Sequence, residues 1–429
     1  MFRGKFCGTL QQDRALTALG GRQITSLDNS GATLQRSVTL TQLALFGAGT
    51  ILGAGIYVLT GKVAAEAGMY APLAFMLAAL IASLTAFSYA ELSSRYPRSA
   101  GEAAYLLVAF GNPRLSKIAG WGIVLTGVVS AATLANGFVG YFQIFFDWPA
   151  WLLIILVISA LGLLAMWGIN ASMNTAMTIT LIEIGGLFMV IGVSGDALAE
   201  LPQRWPELTP DLAADKWLGI ATGAFLAFYA FIGFEDMVNV AEEVQQPKRT
   251  IPMAIALAIG LSTLLYVVVS ATVVLSVPMS QLTQTTAPFA LLMEQQGYSS
   301  TLISGISLIA IINGALVQII MASRVMYGMA DQGNAPAWLA AIHPVRRTPI
   351  AATLLATLAI LLLAIAFPLV TLAKATSFIV LSVFVLVNLA LIKIKLSQPA
   401  DLNSFSCPLL VPILAALISV ALLAFSTLS

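Results

Sequence analysis

The chain has 429 residues, of which 59% are hydrophobic and only 9% are charged, against about 25% charged residues in an ordinary soluble domain. The formal net charge is +1, so the chain lacks the basic surface of a nucleic-acid-binding protein. Cys7, Cys407 and the single histidine, His343, provide neither a disulfide framework nor a ligand set, and we expect no metal and no cofactor. This composition excludes a soluble enzyme and leaves a polytopic membrane protein.

Long stretches without Asp, Glu, Lys or Arg mark the segments that can cross a bilayer, because a crossing helix needs about 20 mainly apolar residues. Together with the Pro and Gly positions, they predict eleven transmembrane helices, called spans 1 to 11 below. Their unbroken apolar character excludes a β-barrel, whose strands alternate over about 10 residues. The predicted ranges are 41–65, 69–94, 117–142, 149–168, 172–195, 217–241, 250–277, 299–325, 350–367, 370–393 and 408–428.

Two of the connecting segments are predicted to contain short helices. Residues 101–110 precede span 3 and have the character of an interfacial helix. Residues Pro288 to Glu294, in the loop between spans 7 and 8, are expected to form a helix across the outer mouth.

Lys and Arg collect on one side of this topology, which predicts the orientation. By the positive-inside rule, that side and the N-terminus are cytoplasmic, and we expect a bacterial cytoplasmic membrane. The opposite side holds Asp147, Glu294 and the acidic loop 196–216. The cations on the cytoplasmic side are Arg3, Lys5, Arg14, Arg22, Arg36, Arg95, Arg98, Arg114, Lys117, Lys248, Arg249, Arg324, Arg346, Arg347, Lys393 and Lys395.

Spans 1 and 6 are unusual for membrane helices. Gly47 to Gly61 contains five glycines, and Gly233 in span 6 is followed at once by Glu235 and Asp236. A backbone unwinds at membrane depth only where it lines a cavity or is packed by protein. The alternative is that both glycine clusters are close-packing helix faces.

The distances from Gly53 to spans 2 and 3 nearly match those from Gly233 to spans 7 and 8. Spans 1–5 and 6–10 therefore form two five-helix halves. Because five is odd, the second half enters the membrane in the opposite direction, as in the inverted repeats of secondary transporters. The predicted organisation is a tail over 1–40, repeats over 41–195 and 217–395, a loop over 196–216 and an additional span within 396–429.

Four ordered motifs then identify the family. Gly47–Gly61, AELSSRYPRSAGEAAYLLVAFG (Ala90–Gly111), FIGFEDMVNVAEEVQQPKRTIPMAI (Phe231–Ile255) and SRVMYGMADQGNAPAWLAAIHPVRRTPI (Ser323–Ile350) resemble the amino acid–polyamine–organocation permeases, and within them the branch that resembles cationic amino acid transporters. The resemblance implies the leucine-transporter-like fold with broken spans 1 and 6, and secondary transport by alternating access. Most members have twelve spans, whereas eleven are predicted here.

A broken helix can bind an amino-acid zwitterion without a charged side chain. The free N–H groups that start a half-helix favour an anion, and the free carbonyls that end one favour a cation. We therefore expect the carboxylate at the backbone of Gly53, Ala54 and Gly55, positions that match the unwound segment of the family. The ammonium group is expected at carbonyls near Ile51, Phe228, Ala230 and Ile232.

Two further positions follow from the resemblance. Tyr229 lies one turn before Gly233, where related exchangers carry an aromatic gate, although a packing aromatic is the alternative. Thr126, in GWGIVLT, stands where relatives similar to cationic amino acid transporters carry an acid. A pocket without that carboxylate favours neutral amino acids over cationic ones.

Glu183 lies midway along span 5 with apolar residues on both sides. A carboxylate at that depth is costly and usually faces the bundle interior, and desolvation favours its protonated form. Proton-coupled relatives carry a lysine near this position. Three interpretations remain open: a proton-coupling group, a cation ligand, or a structural hydrogen bond to span 1 or span 8.

Glu235 follows the break in span 6, where an acid in related exchangers takes part in gating or proton sensing. The alternative is an acid with a purely structural partner near the cytoplasmic end. Arg95, Arg98 and Arg324 are candidate partners for the acids that follow Glu235.

The leading hypothesis is a transporter of amino acids, working as a proton symporter or an exchanger, and not an enzyme. A polyamine or cationic amino-acid transporter is the alternative, and a channel is less favoured because the sequence has no filter repeat. The expected partners are an amino acid, a coupling proton and the bilayer, with no nucleic acid and the oligomeric state left open.

Overall fold

The fold is almost entirely helical in the residues that the structure describes. The computed structural model describes residues 36–97, 101–168, 173–398 and 404–428. Five cations used in the orientation argument, and one cysteine, lie outside these ranges: Arg3, Lys5, Arg14, Arg22, Arg98 and Cys7. The all-α polytopic architecture predicted from the sequence is confirmed.

All eleven predicted spans are found, in order, within the described ranges. Spans 1 and 6 are each divided into halves a and b, and span 6b is a 3₁₀ helix rather than an α-helix. The bounds are span 1a Leu40–Leu52, span 1b Ala54–Ala67, span 2 Ala71–Arg95, span 3 Pro113–Phe142, span 4 Ala150–Trp167, span 5 Met173–Val193, span 6a Ala214–Ala227, span 6b Phe234–Glu243, span 7 Pro247–Ser276, span 8 Thr301–Asp331, span 9 Ile350–Ala366, span 10 Leu369–Ser397 and span 11 Leu410–Leu428.

Nine segments of the described chain are long and apolar enough to cross a membrane. One of them, Gly55–Arg95, covers spans 1b and 2 together, while span 1a and span 9 are apolar but shorter. Large apolar side chains remain exposed on the outside of the bundle, among them Leu163 and Leu362. This surface is the one expected of helices that face lipid.

Several helices extend beyond their predicted ends. Span 8 ends at Asp331 instead of residue 325, and span 10 ends at Ser397 instead of residue 393. Span 3 begins at Pro113 with Asn112 as its N-cap, whose side chain accepts a hydrogen bond from the Arg114 N–H at 2.9 Å. Charge-free stretches predict only the part of a helix that lies in the hydrocarbon core. The helices themselves continue beyond the core into water, so their ends lie outside the predicted ranges.

Both short helices predicted in the loops are present. The helix Gly101–Phe110 precedes span 3, and the helix Pro288–Gln295 lies between spans 7 and 8. The sequence did not predict the helices Gly195–Ala199 and Leu201–Leu208 after span 5. They are short and follow the apolar segment, so hydropathy gives no signal for them.

Contacts between distant segments show which ends share a face of the bundle. The Val38 N–H donates to the Glu243 carbonyl at 3.0 Å and the Gln245 N–H donates to the Val38 carbonyl at 2.9 Å, joining the start of span 1 to the end of span 6. On the same face, Lys395 pairs with Glu91 at 2.6 Å. We call this face, which carries Arg36, Arg114, Lys248 and Lys395, the basic face.

The opposite face joins the other ends of the same spans. Lys374, at the start of span 10, pairs with Glu66 in span 1b at 3.1 Å. Arg204 donates to the Leu275 carbonyl near the end of span 7 at 2.9 Å. Span 1 thus begins on the face where span 6 ends, as an inverted repeat requires.

Aromatic rings fill the core between span 2, span 6 and span 10. Phe234 meets Tyr89 edge-on at 5.6 Å and Phe384 at 5.3 Å between ring centroids. Buried Asn388 in span 10 accepts from the Ser88 hydroxyl at 2.6 Å and donates to the Phe384 carbonyl at 2.8 Å. These contacts hold span 6b against two continuous helices.

Candidate functional site

Span 1 breaks at Gly53, as predicted. Gly53 ends span 1a and begins span 1b, and its N–H donates to the Gly49 carbonyl at 3.0 Å. Gly55 faces span 6 so closely that a Cβ there would lie 2.7 Å from the Ala230 Cα. The second half of span 1 therefore begins at the point where spans 1 and 6 cross.

Span 6 breaks at Gly233, also as predicted. Residues Phe228–Phe231 form a 3₁₀ turn, Ile232 is extended, and Gly233 has a φ of +128°, a conformation that favours glycine. A Cβ at Gly233 would lie 2.6 Å from the Thr50 carbonyl oxygen. The Thr50 hydroxyl donates to the Gly233 carbonyl at 3.0 Å, so the two breaks are in direct contact.

Tyr266 of span 7 joins the two broken segments. Its hydroxyl hydrogen-bonds the Ile51 carbonyl and lies 2.9 Å from the Ala230 carbonyl. These are two of the carbonyls predicted to bind the substrate ammonium. Because a carbonyl oxygen has two lone pairs, each can accept a second donor.

A cavity of about 30 Å³ lies where spans 1, 3, 6 and 8 meet. It has room for a water molecule or two, so an amino acid enters only when the lining side chains move. Five of the predicted binding residues are in the lining, namely Ile51, Gly55, Tyr229, Ala230 and Ile232. The other lining residues are Thr50, Ser130, Leu134, Gly314 and Gln318.

Four predicted binding residues lie outside this lining. Gly53 and Ala54 form the break just before Gly55. Phe228 is buried and packs edge-on against Phe384 with ring centroids 6.1 Å apart. The Thr126 hydroxyl donates to the Gly122 carbonyl of its own helix at 2.9 Å, one turn before Ser130, which does line the cavity.

Tyr229 closes the cavity against span 3. Its hydroxyl lies 2.9 Å from the Ser130 hydroxyl and 3.1 Å from the Ser130 carbonyl, to which it donates. Tyr229, which the sequence analysis proposed as an aromatic gate, is thus held against span 3 by this hydrogen bond.

The sequence analysis missed two residues of span 8, Gly314 and Gln318. They lie four residues apart and so share one helix face. The Gln318 carboxamide has no hydrogen-bond partner among the described residues, and its Oε1 would lie 3.3 Å from a Cβ at Gly127. A small residue one turn before a polar one, within an apolar helix, was the available signal.

Glu183 is fully buried on span 5, beside span 1b. The Tyr57 hydroxyl donates to its backbone carbonyl at 2.7 Å. Both carboxyl oxygens lack a hydrogen-bond partner in the described part of the chain. The side chain therefore faces the bundle interior, as expected, without the structural hydrogen bond that was one of the three interpretations.

Glu235 caps the break in span 6 with its own side chain. Its Oε2 accepts from the Gly233 N–H at 2.9 Å. The helix Gly101–Phe110, which carries Glu102, lies beside span 6b, since a Cβ at Gly101 would be 3.1 Å from the Asn239 Oδ1. Arg95, a candidate partner for the acids that follow Glu235, instead pairs with Glu91 at 2.6 Å.

Comparison with known proteins decides the family. The profile of the family described as "Amino acid permease" matches residues 38–428. The chain belongs to the amino acid permease family. The broken spans 1 and 6 are thus features of a membrane transporter.

Three curated relatives illustrate the range of this permease family. The chain is 30% identical to the branched-chain amino acid permease BcaP of Bacillus subtilis, covering 88% of this chain and 84% of that one. It is 28% identical to the methylthioribose transporter of the same organism, covering 91% and 88%. It is 30% identical to cationic amino acid transporter 4 of Homo sapiens, covering 87% of this chain and 62% of the human one.

Proposed function

We propose that this permease carries neutral amino acids across the membrane by alternating access. The observation behind the proposal is a cavity with no charged residue in its described lining, at the contact between two helix breaks. The breaks supply N–H groups for a carboxylate and carbonyls for an ammonium group. The substrate side chain then has to be matched by uncharged groups alone.

In the proposed binding mode, the carboxylate lies at the break Gly53-Ala54-Gly55 and takes the backbone N–H groups of Ala54 and Gly55, since the Gly53 N–H already donates to the Gly49 carbonyl at 3.0 Å. The ammonium takes carbonyls of Ile51, Phe228, Ala230 and Ile232. The side chain extends towards spans 3 and 8, where Leu134 supplies apolar surface and the Gln318 carboxamide a free donor and acceptor. Mixed apolar and polar surface suits an uncharged side chain of small or medium size.

The relatives named for cationic amino acids favour a second candidate, a cationic or polyamine substrate. A cationic substrate needs a carboxylate in the pocket to balance its buried positive charge. Here the position discussed for that acid is Thr126, and Glu235 is already engaged by the Gly233 N–H. A polyamine would also leave the amides of the span 1 break without an anion. The neutral class is therefore preferred.

Glu183 is the proposed coupling group for proton symport. Its buried and unpartnered carboxyl lies beside the half-helix that must move, so gain and loss of a proton would change its interaction with span 1b. A cation ligand would need further oxygen ligands at the same place. Exchange of internal for external amino acid remains the alternative mode.

The proposed topology places the basic face in the cytoplasm, with the N-terminus on that side, in a bacterial cytoplasmic membrane. The proposed repeats are residues 41–195 and 217–395, joined by the loop 196–216 and followed by span 11 within 396–429.

Reconstituted transport tests both parts of the proposal. Proteoliposomes loaded at pH 7.5 and diluted into pH 6 buffer should accumulate labelled leucine, alanine or glutamine, and should not accumulate arginine or putrescine. Uptake of arginine or putrescine in preference to the neutral amino acids would overturn the neutral-substrate assignment.

Glu183→Gln tests the coupling group in the same vesicles. We expect proton-driven accumulation to fall at least tenfold while counterflow between equal amino-acid concentrations is retained. Glu200→Gln, at an exposed glutamate, is the matched control and should behave as the wild type. Unchanged proton-driven accumulation in Glu183→Gln would remove Glu183 from the coupling step.

A further inference from the structure

A basic cavity lies on the basic face, at the ends of spans 2 and 7. Its volume is about 310 Å³, and its lining contains three cations and, among the described residues, no acid. The lining residues are Arg36, Pro97, Gln246, Pro247, Lys248 and Arg249. Three positive charges around one concavity favour an anion such as a phosphate group.

The rim of this cavity is fixed by hydrogen bonds. The Ser94 hydroxyl of span 2 donates to the Lys248 carbonyl at 2.9 Å. The Thr250 hydroxyl donates to the Gln245 carbonyl at 2.7 Å, next to Gln246, which holds a φ of +48°. The arginine side chains are exposed, but the backbone that carries them is tied to spans 1, 2 and 7.

An apolar groove of about 550 Å³ lies between the same two spans. Span 2 contributes Met76, Phe87 and Ala90, and span 7 contributes Pro252, Gly260 and Leu264. Met76, Phe87 and Leu264 are between 41% and 62% exposed, so the groove opens on the lipid-facing surface. A Cβ at Gly260 would meet nothing within 4 Å, which leaves the groove deep at that point.

The cavity and the groove follow one another along span 7. Arg249 in the cavity and Pro252 in the groove are three residues apart, a rise of about 4.5 Å in a helix. The groove then continues to Val267, about 22 Å further along the helix. One leaflet of the hydrocarbon core is about 15 Å thick, so the groove is long enough for an acyl chain.

We propose that spans 2 and 7 bind an anionic phospholipid, with its phosphate headgroup in the Arg36–Lys248–Arg249 cavity and an acyl chain in the groove that leads away from it. A free phosphate would use the cavity alone, and an uncharged lipid would use the groove alone. Because the basic cavity and the apolar groove follow one another along span 7, they favour a molecule that carries both a phosphate and an acyl chain.

The proposed lipid site joins three elements on the basic face. Arg36 precedes Val38, which is bonded to the end of span 6, and Lys248 and Arg249 begin span 7. A bound headgroup therefore links the entry of span 1 to the cytoplasmic ends of spans 2 and 7. This inference does not depend on which amino acid is carried.

Native mass spectrometry of the purified full chain measures the binding directly. Phosphatidylglycerol and phosphatidylcholine with identical acyl chains are titrated separately. We expect phosphatidylglycerol to bind at least tenfold more tightly than phosphatidylcholine. In Arg36→Gln/Arg249→Gln, phosphatidylglycerol binding should fall about 25-fold, at roughly fivefold per cation removed, with phosphatidylcholine binding unchanged.

The matched charge control is Arg114→Gln/Lys117→Gln, which removes two exposed cations from the basic face at the start of span 3. This control should change phosphatidylglycerol binding less than twofold. Equal loss in both double variants would mean general surface attraction, and equal binding of the two lipids to the wild type would mean that the headgroup is not recognised. Either result overturns the proposal.

Gly260→Leu tests the groove, because the added side chain enters open space and should occupy the acyl-chain position. We expect weaker binding of long-chain phosphatidylglycerol, while Gly192→Leu, at an exposed glycine of span 5, leaves it unchanged.

Displacement by millimolar inorganic phosphate would assign the cavity to free phosphate. Loss of a second protein copy in Gly260→Leu spectra would assign the groove to an oligomer contact. Both outcomes contradict the lipid assignment.

Discussion

The carboxyl group of Glu102 is buried near the basic-face end of span 6. It is 4% exposed, in the interfacial helix Gly101–Phe110, and accepts the Tyr89 hydroxyl at 2.9 Å. Burial raises the pKa of Glu102 above its ordinary value. The folded protein therefore binds this proton more tightly than the unfolded chain does. The stability that Glu102 contributes is fully present below the ordinary glutamate pKa and is lost as pH rises through the raised folded value.

Glu102→Gln should remove this pH dependence, because the amide has no proton to lose. We expect the variant to melt a few degrees above the wild type at pH 8, with the difference disappearing towards pH 4.5. Thermal unfolding in detergent between pH 4.5 and 8 measures it, with Glu200→Gln as the exposed control. A variant less stable than the wild type at pH 8 would show that the ionised carboxylate is needed in the fold.

At the same scale, the sequence predicted residues on the broken helices better than their partners on continuous ones. Ile51 and Ile232 were predicted because glycine and charge patterns mark the breaks in spans 1 and 6, whereas Tyr229 was predicted from the family resemblance. Ser130 and Gln318 were missed because spans 3 and 8 are regular helices. Which of their faces turns inward is decided by packing between residues far apart in the chain, and local periodicity does not contain that information.

Among the elements, span 6 depends most on a single residue. Gly233 combines a φ of +128° with a backbone contact to Thr50, so it cannot accept a side chain without moving span 1. Its carbonyl also accepts the Thr50 hydroxyl at 3.0 Å. The break is therefore a shared feature of two helices, and altering it alters both.

Gly233→Ala should destabilise the fold by about 3 kcal/mol, from backbone strain and the new contact with Thr50, and should abolish uptake. Gly305→Ala is the control, since a Cβ at that helical glycine meets nothing within 4 Å and alanine is the better helix former. Melting temperature and transport are measured together. Wild-type uptake by Gly233→Ala would mean that the break tolerates a side chain.

The breaks in spans 1 and 6 were predictable from sequence because glycine and acidic residues are costly in membrane helices. The 3₁₀ form of span 6b, Phe234–Glu243, was not. Phe234 in this segment packs against Tyr89 and Phe384, which lie 145 and 150 residues away along the chain. Hydropathy locates a span but does not distinguish one helical form from another.

In the whole molecule, Glu91 holds three separated segments together on the basic face. It is fully buried and accepts from Arg95 and Lys395, both at 2.6 Å, and from the Cys407 N–H at 2.8 Å. Span 2, span 10 and the segment that leads into span 11 meet at this one carboxylate. Burial, together with the adjacent Glu91 carboxylate, raises the pKa of the Cys407 thiol to about 12, which keeps the sulfur protonated and unreactive.

Glu91→Gln should cost about 3 kcal/mol, because it leaves two buried cations without a counter-charge. Glu66→Gln is the matched comparison: it breaks a single ion pair, with Lys374, that is more than a third exposed, and should cost less than about 1 kcal/mol. Melting temperatures in the same detergent compare the two. Equal decreases in melting temperature for the two variants would show that the buried Glu91 ion pairs contribute no more to stability than the exposed pair.

The backbone bonds between Val38 and residues 243–245 have a consequence for the timing of the transport cycle. They join the start of span 1a to the end of span 6b by hydrogen bonds, so we expect these two half-helices to move together on the basic face. If the two half-helices moved independently, the gate would open fully only when both were displaced at the same time. Here a single displacement moves both half-helices, so we expect the basic face of the bundle to open in one step rather than two.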